Sequence, residues 1–170
     1  GAGALFEFQL YRSRLAAHRL RTATLAEAYA AQLAPYVRAR VARETATFIE
    51  QIPRPTGVRF VAAIDVDGET LGLRGPEALL KVYLDQPADK RPMDHLNILS
   101  VPDPLGQNAG PLDLASVPIT APETGQVLGV ALCAAARGSN SAFSTRQAWP
   151  FFVGLAAIAT VGFILGSLYL

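Results

Sequence analysis

The side chains whose types and spacing invite chemistry are few and are concentrated in one irregular stretch. Lys90 and Arg91 stand side by side, with His95 four residues on. Adjacent cations of this kind suit a carboxylate or phosphate through charge-assisted hydrogen bonds. They equally suit a solvated charge run. Asp85, Asp89, Asp94 and His95 occupy the same stretch and would have to converge to hold a cation; loop acids are more often simply hydrated. The chain has two histidines, His18 and His95, which rules out a His-rich metal site, and a single Cys133, which rules out an internal disulfide or a multi-cysteine site. Asp65, Asp67 and Gly68 match a tight turn and lack the further ligand positions of a calcium loop. Cys133 lies between Leu132 and Ala134 with no histidine nearby in sequence, the setting of a buried, inert thiol. Ser116, Ser139 and Ser141 lack a G-x-S-x-G context. These residues define no catalytic constellation and no cofactor, so the expectation is a protein that is not an enzyme and carries no metal.

The elements that position these residues follow from periodicity and punctuation. Over residues 6–52, Leu25, Tyr29, Leu33, Val37, Val41, Phe48, Ile49 and Ile52 recur mostly at spacings of three or four, one face of a helix. Pro35 lacks an N–H and its ring clashes with the preceding turn, so the spacing predicts two helices, 6–34 and 35–51, kinked or broken near Ala34. Pro53-Arg54-Pro55-Thr56-Gly57 ends the helical part. Residues 58–66 and 69–73 are β-branched or apolar runs joined across Asp67-Gly68, a hairpin signal. Residues 76–84 fit a short helix with Ala78, Leu79, Val82 and Tyr83 inward. Residues 85–112 are rich in Pro and Gly and hold one strand at 96–101. Strands at 114–119 and 127–134 flank the turn Pro122-Glu123-Thr124-Gly125, and Pro118 argues for an edge position or a bulge. The expected fold class is α+β: a long N-terminal helix packed on one face of a mainly antiparallel sheet of about five strands.

Residues 151–170 contain no charged residue or histidine, and the charge-free run reaches back to Gln147. Twenty helical residues cover roughly 30 Å, the hydrocarbon thickness of a bilayer. Trp149 and Tyr169 stand near the two ends, where amphipathic rings favour the headgroup level. Ser144 and Gln147 match a capping box, so 144–170 reads as a juxtamembrane and transmembrane helix. Gly162 and Gly166 form a GxxxG pair with Gly154 two turns earlier, a surface on which another transmembrane helix could pack, in a homodimer or a larger membrane complex. The apolar decapeptide at residues 1–10 is too short to span and reads as either the tail of a preceding membrane helix or a plain helix start. Net charge is +1, split between a mildly basic part (residues 1–57, eight Lys/Arg against four acids) and a mildly acidic one (58–148, seven against ten). Neither part has the dense basic face that nucleic acid requires. The division is therefore 1–52, 53–143 and 144–170.

Two phrases carry a family resemblance. VAAIDVDGETL at 61–71 resembles the first hairpin of PAS-like extracytoplasmic sensor domains of the Cache type. VPITAPETGQVLGVALCAAA at 117–136 resembles their closing hairpin, which precedes a second membrane helix. The resemblance implies the input domain of a bacterial transmembrane receptor, in the inner membrane with its domain outside, and a small-molecule ligand of unstated identity. Its motifs describe turns and strands, and the central segment shows no amino-acid or carboxylate recognition motif. Arg137 and Arg146, which flank the apolar run, point by the positive-inside rule to a cytoplasmic domain; the resemblance points the other way. A second reading fits the same residues: an accessory structural subunit, held by one helix, that docks on and stabilises a larger membrane assembly such as a photosynthetic or respiratory complex.

Overall fold

The computed structural model describes residues 2–39, 41–104, 106 and 110–137. The expected apolar span, with Gly154, Gly162 and Gly166, lies outside the described residues. Among the described residues no helix is long and apolar enough to cross a membrane.

Helix α1 (Ala2–Arg38) is followed by α2 (Ala42–Gln51), β1 (Val58–Asp65), β2 (Thr70–Arg74), α3 (Glu77–Leu84), a short 3-10 turn (Ala88–Lys90), β3 (Asn97–Val101), β4 (Leu112–Thr120) and β5 (Val127–Ala136). The five strands form one sheet in the order β2-β1-β5-β4-β3. Every neighbouring pair is antiparallel. The first and last strands thus meet at the centre, with Val61 opposite Cys133. The expected α+β class and five antiparallel strands are found.

Side-chain alternation gives the sheet two apolar faces. One carries Val61, Ala63, Ala115, Val117, Ile119, Ala131 and Cys133, and is covered by α1 and α2. The other carries Phe60, Ala62, Ile64, Leu112, Leu114, Val130, Leu132 and Ala134, and is covered by Leu79, Leu80 and Tyr83 of α3. The domain is therefore three layers, helices on sheet on helix. The stripe on α1 runs through Ala23, Ala26, Tyr29, Ala30, Leu33, Ala34 and Val37, and its small alanines let the helix lie close to the strands. Between Glu7 and Arg21, by contrast, only Leu15 and His18 are even partly covered, so α1 extends past the packed part.

Two expectations need correction. Pro35 does not break the helix: α1 passes through it and ends at Arg38, and α2 begins at Ala42. The ring costs one helix bond, the donor to the Ala31 carbonyl, but Leu33, Ala34 and Val37 are buried against the sheet on either side of it, and the Pro35 carbonyl still accepts the Ala39 N–H at 3.2 Å. Ala78 is exposed, because the buried stripe of α3 is Leu79, Leu80 and Tyr83 and Ala78 lies to one side of it. Pro118 falls at a local edge, as its lack of an N–H requires: the β3 ladder stops at Ser116, so β4 is bordered on one side only there, and the β4–β5 register shifts just beyond, between Ile119 and Thr120.

Local contacts hold α2 in place. Tyr36 stacks on Phe48 with centroids 4.6 Å apart, and the Arg74 guanidinium donates to the Ile52 carbonyl at 3.1 Å, just beyond the helix end. Below, α2 lies directly on Gly72 of β2, where a Cβ would come 2.8 Å from the Ala46 Cα and 2.9 Å from the Ile49 Cδ1. In the β1–β2 turn the Asp65 carboxylate accepts the N–H groups of Asp67 and Glu69, and Gly68 takes a φ of 87°. Gly72→Val should push α2 off the sheet and cost about 2 kcal/mol by overpacking; a lowered urea midpoint by circular dichroism is the expected outcome, and an unchanged midpoint contradicts this contact.

Candidate functional site

The residues singled out in the irregular stretch separate in space. Lys90 is exposed on the 3-10 turn, where its backbone carbonyl accepts the Asn97 side-chain amide at 2.9 Å. His95 is exposed and pairs with Asp94 at 2.7 Å, which holds the Asp94 carboxyl below its ordinary range. Among the described residues Asp85, Asp89, Asp94 and His95 form no group able to hold a metal ion. Arg91 alone of the three ligand candidates turns into a pocket.

That pocket, about 230 Å³, lies on the α3 face. Ile64, Val66, Asp67 and Gly68 from the end of β1 and its turn form one wall, Tyr83 and Leu84 of α3 a second, and Ala88, Arg91 and Met93 a third, with Val130 of β5 between them. The strands face this way because Ile64 and Val130 share the even-numbered side of the paired strands. The lining is mostly apolar with two opposed charges, Arg91 and Asp67. The Arg91 Nε is buried and has no hydrogen-bond partner among the described residues. A buried unpaired donor costs about 1–3 kcal/mol, and more where it belongs to a charged group. Arg91 lines the pocket, so an anionic oxygen there would meet a guanidinium suited to it. Tyr83 is pushed up by burial, against a hydrogen bond from Ser116 and the nearby Arg91 charge, so it stays a neutral phenol.

A second polar cluster lies on the opposite face, under α1. Asp113, in β4, is wholly buried. Its Oδ2 meets the His18 Nδ1 at 2.9 Å, and its Oδ1 accepts the Arg137 Nε at 2.9 Å and a further N–H from the same guanidinium. Arg19 adds a cation with its Nε 3.9 Å away. The other ring nitrogen of His18 lies 2.8 Å from the Ala136 carbonyl. Desolvation pushes the Asp113 carboxyl up, but the hydrogen bonds and charges of Arg137 and His18 outweigh it and hold the group below its ordinary range. The cluster joins α1, β4 and the end of β5. The sequence reading passed over Asp113, which lay between the expected loop and strand. A signal was present: Asp113 shares the two-residue period of Ala115, Val117 and Ile119, so an acid on the helix-facing side required cations from α1.

Cys133 is buried between Tyr29 and the strands, and desolvation raises its thiol to about 12. Tyr29 is likewise raised to about 12, by burial and then by the neighbouring thiol, while its hydroxyl donates to the Pro53 carbonyl at 3.0 Å. These groups fill core.

No protein-family model matches this chain, and no curated protein matches it. Fold and geometry define its class: an α+β domain whose antiparallel sheet has a long helix on one face and an arginine-lined pocket on the other.

Two expectations follow. Asp113→Asn should lower stability by about 3 kcal/mol at pH 7, since it leaves the partly buried Arg137 guanidinium without its counter-charge. The carboxylate contributes fully above its unfolded value near 4, and that contribution is lost as pH falls through its lower folded value. The urea midpoints of wild type and variant should therefore be well apart at pH 7 and draw together as the pH falls through the lowered folded value of Asp113. Cys133 should resist a thiol reagent at pH 8 in the native protein and react once urea unfolds it; rapid native labelling would contradict its burial.

Proposed function

We propose that the chain is a non-catalytic sensor, the PAS-like, Cache-type input domain of a bacterial transmembrane receptor. Residues 144–170 anchor it in the inner membrane, and its domain lies on the extracytoplasmic side. The observation that carries this reading is the Arg91 guanidinium, with its buried unpartnered Nε, in a small apolar pocket. A structural packing role would leave that donor satisfied; a binding role leaves it for the ligand. The ligand class that fits is a small organic anion whose carboxylate meets Arg91 and whose carbon skeleton rests on Ile64, Val130 and Met93. The sheet order supports the resemblance, since the opening and closing hairpins that carry it lie side by side at the centre.

In this reading the pocket wall is the switch. The wall from Ala88 to Met93 closes over the anion when Arg91 binds it. The sheet between carries the change to α1 on its other face. A ligand shifts such an equilibrium only by its differential affinity for the two states, so the closed wall must bind more tightly than the open one.

The accessory-subunit reading rests on a different observation. Phe8, Leu10, Tyr11 and Leu20 are exposed on the part of α1 that extends past the sheet, a surface suited to docking on a larger membrane assembly.

The test uses the full chain in lipid nanodiscs, with acetate, pyruvate, succinate and citrate as probes in thermal unfolding. At least one should raise the midpoint by several degrees, and Arg91→Gln should abolish the rise. Without probe, Arg91→Gln should be as stable as wild type or more so, because it removes an unsatisfied buried donor. If no probe shifts the midpoint and unliganded Arg91→Gln is clearly destabilised, Arg91 is structural and the sensor reading falls. Copurification from solubilised membranes would then identify the assembly.

A further inference from the structure

His18 holds an unusual position. Its Nδ1 is 2.9 Å from the Asp113 carboxylate and its Nε2 is 2.8 Å from the Ala136 carbonyl. Both partners are acceptors, and neither can donate. A neutral imidazole has one N–H, so it can satisfy one partner and must face the other with a lone pair. Both contacts are hydrogen bonds only when the ring carries two protons and a positive charge.

We propose that His18 is a proton-operated latch that fastens α1 to the end of β5, closed when the ring is protonated and loosened when it is neutral. The site is placed for this. His18 stands where α1 leaves the sheet: from Thr22 onward the helix is packed, and before His18 it is almost fully exposed. Ala136 is the last residue of β5, and Arg137 follows it directly. The latch therefore joins the exposed part of the long helix to the point at which the chain leaves the sheet.

The charged groups facing the ring are few. Asp113 comes from β4, Arg137 follows β5, and Arg19 lies on α1 itself, with the Tyr11 hydroxyl one to two turns earlier near Arg137. Asp113 is held ionised by its neighbours, and arginine does not lose its proton in proteins. Imidazole is the side chain whose charge ordinarily changes between about pH 5 and 8. His18 is thus the member of the cluster whose two contacts depend on whether its ring carries one proton or two. Loss of its proton keeps the Nδ1–H bond to the carboxylate and turns the Nε2 contact with Ala136 from attraction to lone-pair repulsion. The proton goes to solvent through the partly exposed ring edge, whose side chain is 22% exposed. This device is independent of the Arg91 pocket on the other face, and it stands or falls without it.

The experiment is hydrogen exchange by mass spectrometry on the full chain in nanodiscs at pH 5.5, 7.0 and 8.5, corrected for intrinsic exchange. Nitrogen-15 NMR of the histidine rings under the same conditions reads their protonation. Amides around 18–26 and 131–137 should exchange several-fold faster at pH 8.5 than at pH 5.5, while those of β2 and α3 keep their rates. The change should follow the His18 ring signal, persist in His95→Gln and vanish in His18→Gln, whose single amide donor group cannot change charge. Exchange at those amides that is flat with pH, or a His18 ring that stays neutral from pH 5.5 upward, overturns the proposal. If His18→Gln does not fold, the wild-type exchange and NMR titrations decide the matter alone.

Discussion

A carboxylate with no contact with water is the constraint around which the domain is assembled. Asp113 would be expelled from the sheet, or protonated, unless several donors reached it at once. Its donors come from residues 95 positions earlier and 24 positions later in the chain: His18 on α1 and Arg137 beyond β5. Helix, inner strand and terminal strand must therefore all be in place before the charge is satisfied. The apolar stripe of α1 supplies the bulk of the attraction to the sheet, but apolar contact is tolerant of sliding. The polar cluster fixes where along its length the helix sits. Arg38 and Glu123 tie the other end of α1 to the β4–β5 turn. That pair is largely exposed and contributes little to stability, so the register depends on the buried cluster.

The sheet separates two kinds of environment. On the helix side, alternate residues of β1, β4 and β5 are mainly Ala, Val, Ile and Cys, and the packing is dense enough to push the Cys133 thiol to about 12. On the α3 side the cover is an eight-residue helix followed by a Pro-rich segment with little regular structure. Thin cover leaves room, and the pocket lies between the sheet and that cover. One face thus determines how the long helix is held, and the other offers space for a small molecule. Because neighbouring residues of a strand point to opposite faces, Val130 lines the pocket while Ala131 packs under α1. A disturbance at one surface is one residue away from the other.

Much of this was readable from residue pattern. The hairpin across Asp67-Gly68, the short helix after Pro76, the strands near 97, 114 and 127 and the helical face through Tyr29, Leu33 and Val37 all follow from local periodicity and turn chemistry. What failed was local inference that ignored how an element packs on the sheet. Pro35 removes one helix donor, but the burial of Leu33, Ala34 and Val37 against the sheet carries α1 past it. Ala78 lies about 100° round α3 from Leu79 and about 200° from Leu80, so it falls outside the buried stripe although it is apolar. At the site, adjacency in sequence misled: Lys90 and Arg91 looked like a pair, yet the tight turn sends one to solvent and the other inward. The period of β4 marks Asp113 as an acid on the helix-facing side, but not which cations meet it. The members of the cluster are brought together only by the pairing of β4 with β5 and the docking of α1, and no spacing rule spans that distance.

The central pairing of first and last strands has a consequence for biosynthesis. Val61 waits for Cys133, 72 residues further on, before β1 gains its inner neighbour. At roughly 5–20 residues per second, the ribosome takes about 4–14 s to make that interval. Until then α1 has no completed surface to lie on, and its apolar stripe and the β1–β2 hairpin are bare in the nascent chain. Such long-range closure makes for slow folding. A holding chaperone, or a membrane surface close to the exit tunnel, would have its chief opportunity to act during those seconds.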